Sequence, residues 1–123
     1  MEKIYYNKLC RDKIPEIIRG KGFDCEVRQT EHDEYKREIV RKVYEEASGI
    51  TDRSSREHMI EEIADLVITL DALKSEFGIS ESDVTAAVQK SIFEKGAYVE
   101  RLYLSWSSDT DYLKNESGTG IDD

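Results

Sequence analysis

Apolar residues recur at helical spacing over several stretches of the chain, and this pattern predicts a mainly α-helical protein. Glycines at 78 and 96 follow the last two long stretches and indicate where those helices end. A Ser-Glu-Ser-Asp run at 80–83 resembles a capping box and indicates a helix start. The predicted helices cover residues 13–19, 32–48, 56–77 and about 80–95.

Two other segments alternate apolar and polar residues, which is typical of strands. They are FDCEVRQT at 23–30 and YVERLYLSW at 98–106. Because these segments could pair with each other, we expect a small two-stranded β element beside the helices. The predicted fold class is therefore mainly α, an antiparallel helical bundle with that small β element.

The predicted helix at 56–77 is apolar around most of its circumference but carries one narrow acidic stripe. At 100° per residue, His58, Glu61 and Glu62 fall within about 60° of Asp65. A helix that is apolar nearly all round is usually buried, so the stripe should face the protein interior or a subunit interface. Burying a lone carboxylate costs roughly several kcal/mol unless it is paired or bound to a metal.

These acids suggest a site for a divalent cation. Glu62 and Asp65 are three residues apart, so their carboxylates converge on one helix face. Packing the first two long helices by their apolar faces would bring Glu46, with Glu45 beside it, towards them. Mg²⁺ prefers such oxygen ligands and would relieve the repulsion between the acids. The alternative is a solvated acidic face, paired with basic side chains of the first long helix.

Length and charge limit the possible partners. The chain has 123 residues and a formal net charge of −9, so one domain is expected and a broad nucleic-acid surface is not. An anionic ligand would need local Lys or Arg, or a bound cation. Residues 107–123 hold five acids against one Lys, so we expect a helical domain over 1–106 and an acidic polar tail over 107–123.

Other features of composition favour the cytoplasm and argue against a membrane partner. The charged N-terminal stretch does not resemble a signal peptide. No apolar run approaches the roughly 20 residues that a membrane span needs. Cys10 and Cys25 do not make a disulfide framework, and we interpret them as reduced thiols.

Several motifs, in order, resemble the MazG-like all-α nucleoside triphosphate pyrophosphohydrolases, in particular the small phosphoribosyl-ATP pyrophosphohydrolase-like branch. The resemblance covers about residues 5–104. The half-motif EExxD is weak alone, but the ordered set is fairly specific. The matching segments are YNKLCRDKIPEII (6–18), EYKREIVRKVYEEA (34–47), EEIADLVITLDAL (61–73), FGISESDV (77–84) and KSIFEKGAYVERLYL (90–104).

The resemblance implies an Mg²⁺-dependent enzyme that converts a nucleoside triphosphate to a monophosphate and pyrophosphate, as a dimer or tetramer. It implies metal ligands at Glu46, Glu62 and Asp65. Glu45 and Glu46 would take part in catalysis. Basic residues that would bind the nucleotide are Lys8, Arg11, Lys13, Lys90 and Lys95.

Gly49 departs from the family pattern, because the first half-motif, EExxE, normally carries an acid at this position. The loss leaves two further hypotheses open. The chain could bind or sequester a nucleotide without turnover, or it could be a helical interaction module whose acids make subunit salt bridges. We expect Gly49→Glu to restore a fourth ligand one turn after Glu46, provided that Gly49 does not have positive φ.

Overall fold

The computed structural model describes residues 2–112, and this part of the chain is mainly helical, as predicted. The bounds of α2 are the predicted ones, and those of the other helices differ from the prediction only at their ends, where assignments are least certain. The four helices are α1 (Ile14–Gly20), α2 (His32–Ser48), α3 (Arg56–Glu76) and α4 (Glu81–Lys95).

Local side-chain chemistry explains where α3 and α4 begin and end. Ser55 caps α3 by accepting a hydrogen bond from the backbone N–H of His58 at 3.2 Å. At the start of α4, the N–H of Asp83 donates to Ser80 Oγ at 3.1 Å, and the N–H of Ser80 donates to Asp83 Oδ2 at 3.0 Å. The hydrogen bond from the Ser80 N–H, followed by one from the Ser80 side chain, lowers the pKa of the Asp83 carboxyl. Gly78, with φ of 66°, ends α3 in a conformation that few other residues adopt.

The predicted β element is wrong for the described residues, because neither 23–30 nor 98–106 forms a strand. Alternating residues stabilise a strand only when one face is buried, and a lone two-stranded pair is marginal in water. Here the apolar positions are exposed: Phe23 at 66% and Val27 at 51%, and Tyr98 at 96%. The alternation in the sequence therefore has no packing partner within this part of the chain.

The chain divides into two compact units, with the boundary between Thr85 and Ala86, inside α4. In the first unit, α2 packs against α3. Ile39 of α2 and Thr69 of α3, which are 4% and 7% exposed, are the two buried residues among those described. The predicted division into 1–106 and 107–123 stays a prediction, and residues 113–123 of that tail lie outside the described residues.

None of the helices in residues 2–112 has both the length and the hydropathy required to cross a membrane. Cys10 and Cys25 are free thiols, of which Cys10 is exposed and Cys25 is partly buried.

Candidate metal centre

The contact between α2 and α3 brings three acidic side chains together. Glu46 projects from the last turn of α2, and Glu62 and Asp65 project from one face of α3. One carboxylate oxygen from each lies within 4.8 Å of the other two. Small side-chain rotations would place each of the three oxygens roughly 2.1 Å from a shared ion, the Mg–O distance that Mg²⁺ requires. The three residues predicted as metal ligands are thus close enough to share one cation.

Partial burial sets this cluster apart from a fully solvated acidic face. The side chains of Glu46 and Glu62 are 21% and 18% exposed, and that of Asp65 is 45% exposed. Next to Asp65 on α3, the hydroxyl of Thr69 donates to the Asp65 carbonyl oxygen at 2.8 Å. That bond satisfies the buried Thr69 within its own helix, so the hydroxyl adds no donor to the Asp65 carboxylate.

Basic side chains from α2 and from the segment before α1 surround the acids. Lys42 Nζ lies 3.3 Å from Glu45 Oε1 and 3.5 Å from Glu46 Oε1. Arg11 reaches Asp65, with its Nη1 atom 3.8 Å from Oδ1. The alternative of ion pairing with basic residues of α2 therefore holds in part, because Lys42 makes such pairs.

Glu45 is held outside the three-carboxylate cluster. Lys8 Nζ donates to Glu45 Oε1 at 2.6 Å, across 37 residues of sequence. This hydrogen bond, together with the charge of Lys42, lowers the pKa of Glu45. It also raises the pKa of Lys8. Glu45 is therefore a carboxylate paired with two lysines beside the cluster.

The predicted nucleotide-binding residues fall into two groups. Lys8 and Arg11 contact acids at the cluster, whereas Lys13 is the exposed N-cap residue of α1. Lys90 Nζ lies 4.0 Å from Glu94 Oε1 within α4. Lys95 is the last residue of that helix. Both belong to the second unit. Their role in nucleotide binding stays a prediction.

A cleft of about 440 Å³ adjoins the cluster, between α2, α3 and the segment before α1. Apolar side chains make much of its lining, and Arg11, Lys42, Glu46 and Asp65 stand around it. A mixed lining of this kind is typical of small-molecule sites. Sequence reasoning missed several of its residues, because a helical pattern does not separate a cleft wall from a core. These are Leu9, Cys10, Tyr35 and Ile68.

His58 also contacts the cluster, with Nε2 3.3 Å from Glu62 Oε1. The two residues are four apart on α3, and this spacing could have indicated the contact in advance. The sequence favours a surface or packing role for His58, near the helix start, over a role as a ligand. In the structure it is the partner of Glu62.

Searches against protein-family models, curated proteins and solved structures gave no match. The residues themselves therefore carry the functional interpretation.

Proposed function

We propose that the chain is an Mg²⁺-dependent nucleotide pyrophosphohydrolase of the MazG-like type that removes surplus or noncanonical nucleotides in the cytoplasm. The observation that carries the proposal is the convergence of Glu46, Glu62 and Asp65 from two packed helices. Three carboxylates from separate turns, with oxygens this close, suit a cation that also binds phosphate oxygens. The resemblance in motif order supports the same class.

In this proposal the three clustered carboxylates would hold Mg²⁺. When bound, the ion would offset phosphate charge and supply a water of lowered pKa for hydrolysis of the phosphoanhydride bond. Lys8 pairs with Glu45, and Arg11 pairs with Asp65. Both side chains carry the positive charge that would bind phosphate oxygens. Glu45, which pairs with Lys8 and Lys42, would accept a proton from the attacking water. The cleft beside Asp65 would take the nucleoside.

A second candidate is a protein of the same type that binds a nucleotide, or a nucleotide signal, without hydrolysing it. Two observations favour it. Gly49 provides no fourth carboxylate, and Glu45, the candidate base, is occupied by Lys8. Mg²⁺ accepts water in place of a carboxylate, so binding could survive a change that removes catalysis.

The two candidates differ in turnover. Wild-type protein should be incubated with a panel of nucleoside triphosphates and Mg²⁺, with pyrophosphate release measured and nucleotide affinity determined by calorimetry. Glu46→Gln is the test variant. Glu38→Gln is the control, since Glu38 lies on the same helix and pairs with Arg41 at 2.8 Å.

The enzyme is supported if wild type and Glu38→Gln release pyrophosphate and Glu46→Gln does not. Mg²⁺-dependent binding without release from any nucleotide favours the second candidate. Failure to bind any nucleotide, with or without Mg²⁺, contradicts both.

A further inference from the structure

Gly49 is placed directly against Glu62. It is the C-cap residue of α2, with φ of −76° and ψ of −13°. These angles are open to every L-amino acid, so the backbone does not require glycine here. A side chain would nevertheless meet a neighbour, because a Cβ at position 49 would collide with Oε2 of Glu62 and stand 3.0 Å from its Cδ unless that side chain moved.

Gly20 provides the contrast. It is the last residue of α1, and a Cβ built there has no atom within 4 Å. Glycine at a helix end therefore does not by itself imply a crowded site in this protein. The crowding at Gly49 comes from one flexible side chain, that of Glu62. Backbone contributes less, because the Glu46 carbonyl oxygen is 3.5 Å from the same Cβ.

We infer that Gly49 is a positioning residue for Glu62: the missing side chain leaves the place that the Glu62 carboxylate occupies within the cluster. The inference rests on the proposed function, because it assigns Gly49 a role at the proposed metal centre. It also changes the expectation for Gly49→Glu. The φ condition is met, but the new side chain would displace an existing ligand before it could add one.

The displacement has a direction. Glu62 has its Oε1 near His58 and its Oε2 over Gly49, so a Cβ at 49 pushes the carboxylate away from the end of α2. Because Glu46 lies on that end of α2, the oxygen of Glu62 would leave the group of three. A metal centre would then lose one of its protein ligands without any acid having been mutated.

The test compares Gly49→Ala with Gly20→Ala, which adds the same methyl group at a helix end with no neighbour. Mn²⁺ affinity, measured by calorimetry, reports on the centre. The ¹³C resonance of the Glu62 side-chain carboxyl, assigned by its loss in Glu62→Gln, reports on position without metal. We expect Gly49→Ala to weaken Mn²⁺ binding roughly ten-fold and to shift this resonance, and Gly20→Ala to do neither.

A double-mutant cycle with Glu62→Asp tests whether Glu62 is the side chain that the added methyl group displaces. Aspartate is one methylene shorter, so its carboxylate should stand farther from the Cβ of residue 49, and Gly49→Ala should cost less affinity in that background. A loss that is equally large with aspartate at 62 overturns the inference. So does an unmoved Glu62 resonance in Gly49→Ala.

The proposed function can fail separately. If wild-type protein binds no Mn²⁺, the metal centre is refuted, and the metal-free resonance alone decides the placement of Glu62. A shift in Gly49→Ala then supports the positioning role, and an unchanged resonance overturns it.

Discussion

The two packed helices balance their charge in different ways. α2 carries its own counter-ions: Lys42 lies beside Glu45 and Glu46, and Arg41 pairs with Glu38 at 2.8 Å. The Lys and Arg residues of α3 stand near its two ends, remote from its central acids. Glu62 and Asp65 have other partners: Glu62 has His58, four residues earlier on the same helix, and Asp65 has Arg11 before α1. A bound cation would therefore add positive charge where α3 itself places no Lys or Arg.

The same two helices differ in their apolar surface. The buried Ile39 lies on the face of α2 that meets α3. α3 has a second apolar face, opposite Asp65, on which Ile60, Ile63 and Val67 are 50%, 49% and 51% exposed. A contiguous apolar face of this kind favours self-association, and we propose that it forms the interface of a dimer or tetramer. The predictions below test both differences, from the largest expected effect to the smallest.

Asp65→Ala should abolish Mg²⁺-dependent nucleotide binding, with a loss of at least roughly 100-fold, because it removes a proposed ligand. Asp71→Ala is the matched control, since Asp71 lies on the same helix and pairs with Lys74 at 3.0 Å instead. Calorimetry with and without Mg²⁺ measures the effect. Equal affinity in the two variants would remove Asp65 from the site.

Val67→Lys should dissociate the proposed oligomer, because it places a charge in the middle of the second apolar face of α3. Light scattering should then give the 14.2 kDa of a single chain, while wild type gives a multiple of it. Glu57→Lys, on the exposed surface of the same helix, is the control. A wild-type protein that is already monomeric at micromolar concentration contradicts the prediction.

Lys42→Met should lower stability without metal and enlarge the stabilisation that Mg²⁺ gives. The Lys42 side chain is 16% exposed and its ammonium lies near two carboxylates, so removing that charge increases the repulsion between them by about 1 kcal/mol. Arg41→Met is the control, because Arg41 pairs away from the cluster. Thermal unfolding with and without Mg²⁺ measures both effects. A Mg²⁺ response equal to that of wild type would show that Lys42 does not stand in for a cation.

The smallest effect concerns an acid at the start of α2. Hydrogen bonds from Arg28 at 2.8 and 2.7 Å, with one from the N–H of Glu31, lower the pKa of Glu34 from 4.5 to about 2. A lowered pKa contributes stability above the unfolded value, and this contribution is lost as pH falls from about 4.5 towards 2. Arg28→Ala should therefore flatten the dependence of the urea midpoint on pH in this range.

Arg53→Ala, in the loop between α2 and α3, is the control and should keep the wild-type slope. If Arg28→Ala keeps it too, the pair does not set the pKa of Glu34 in solution.

The helices could be predicted from the sequence because their signals are local. Ser80 and Asp83 are three residues apart and cap α4 by contacts between themselves, and Gly78 ends α3 by its own conformation. The convergence of Glu62 with Asp65 also follows from spacing along one helix.

What could not be predicted depends on contacts between distant residues. The crowding beside Gly49 arises because the side chain of Glu62, thirteen positions along the chain, lies against it. The hydrogen bond between Lys8 and Glu45 likewise joins the non-helical segment before α1 to the end of α2. The β element failed for the same reason, since alternation in a segment does not say whether a partner strand is present.

The hydrogen bond between Lys8 and Glu45 links ligand affinity to proton affinity. A phosphate that binds Lys8 must replace Glu45 as its partner. The measured binding free energy would therefore be the difference between the phosphate–Lys8 and Glu45–Lys8 interactions. If such an anion displaced Lys8, the pKa of Glu45 would rise towards its ordinary value, because the first cause of its lowering would be gone. The carboxylate would then be a stronger proton acceptor while the anion is bound. By reciprocity, protonating Glu45 would release Lys8 and strengthen anion binding.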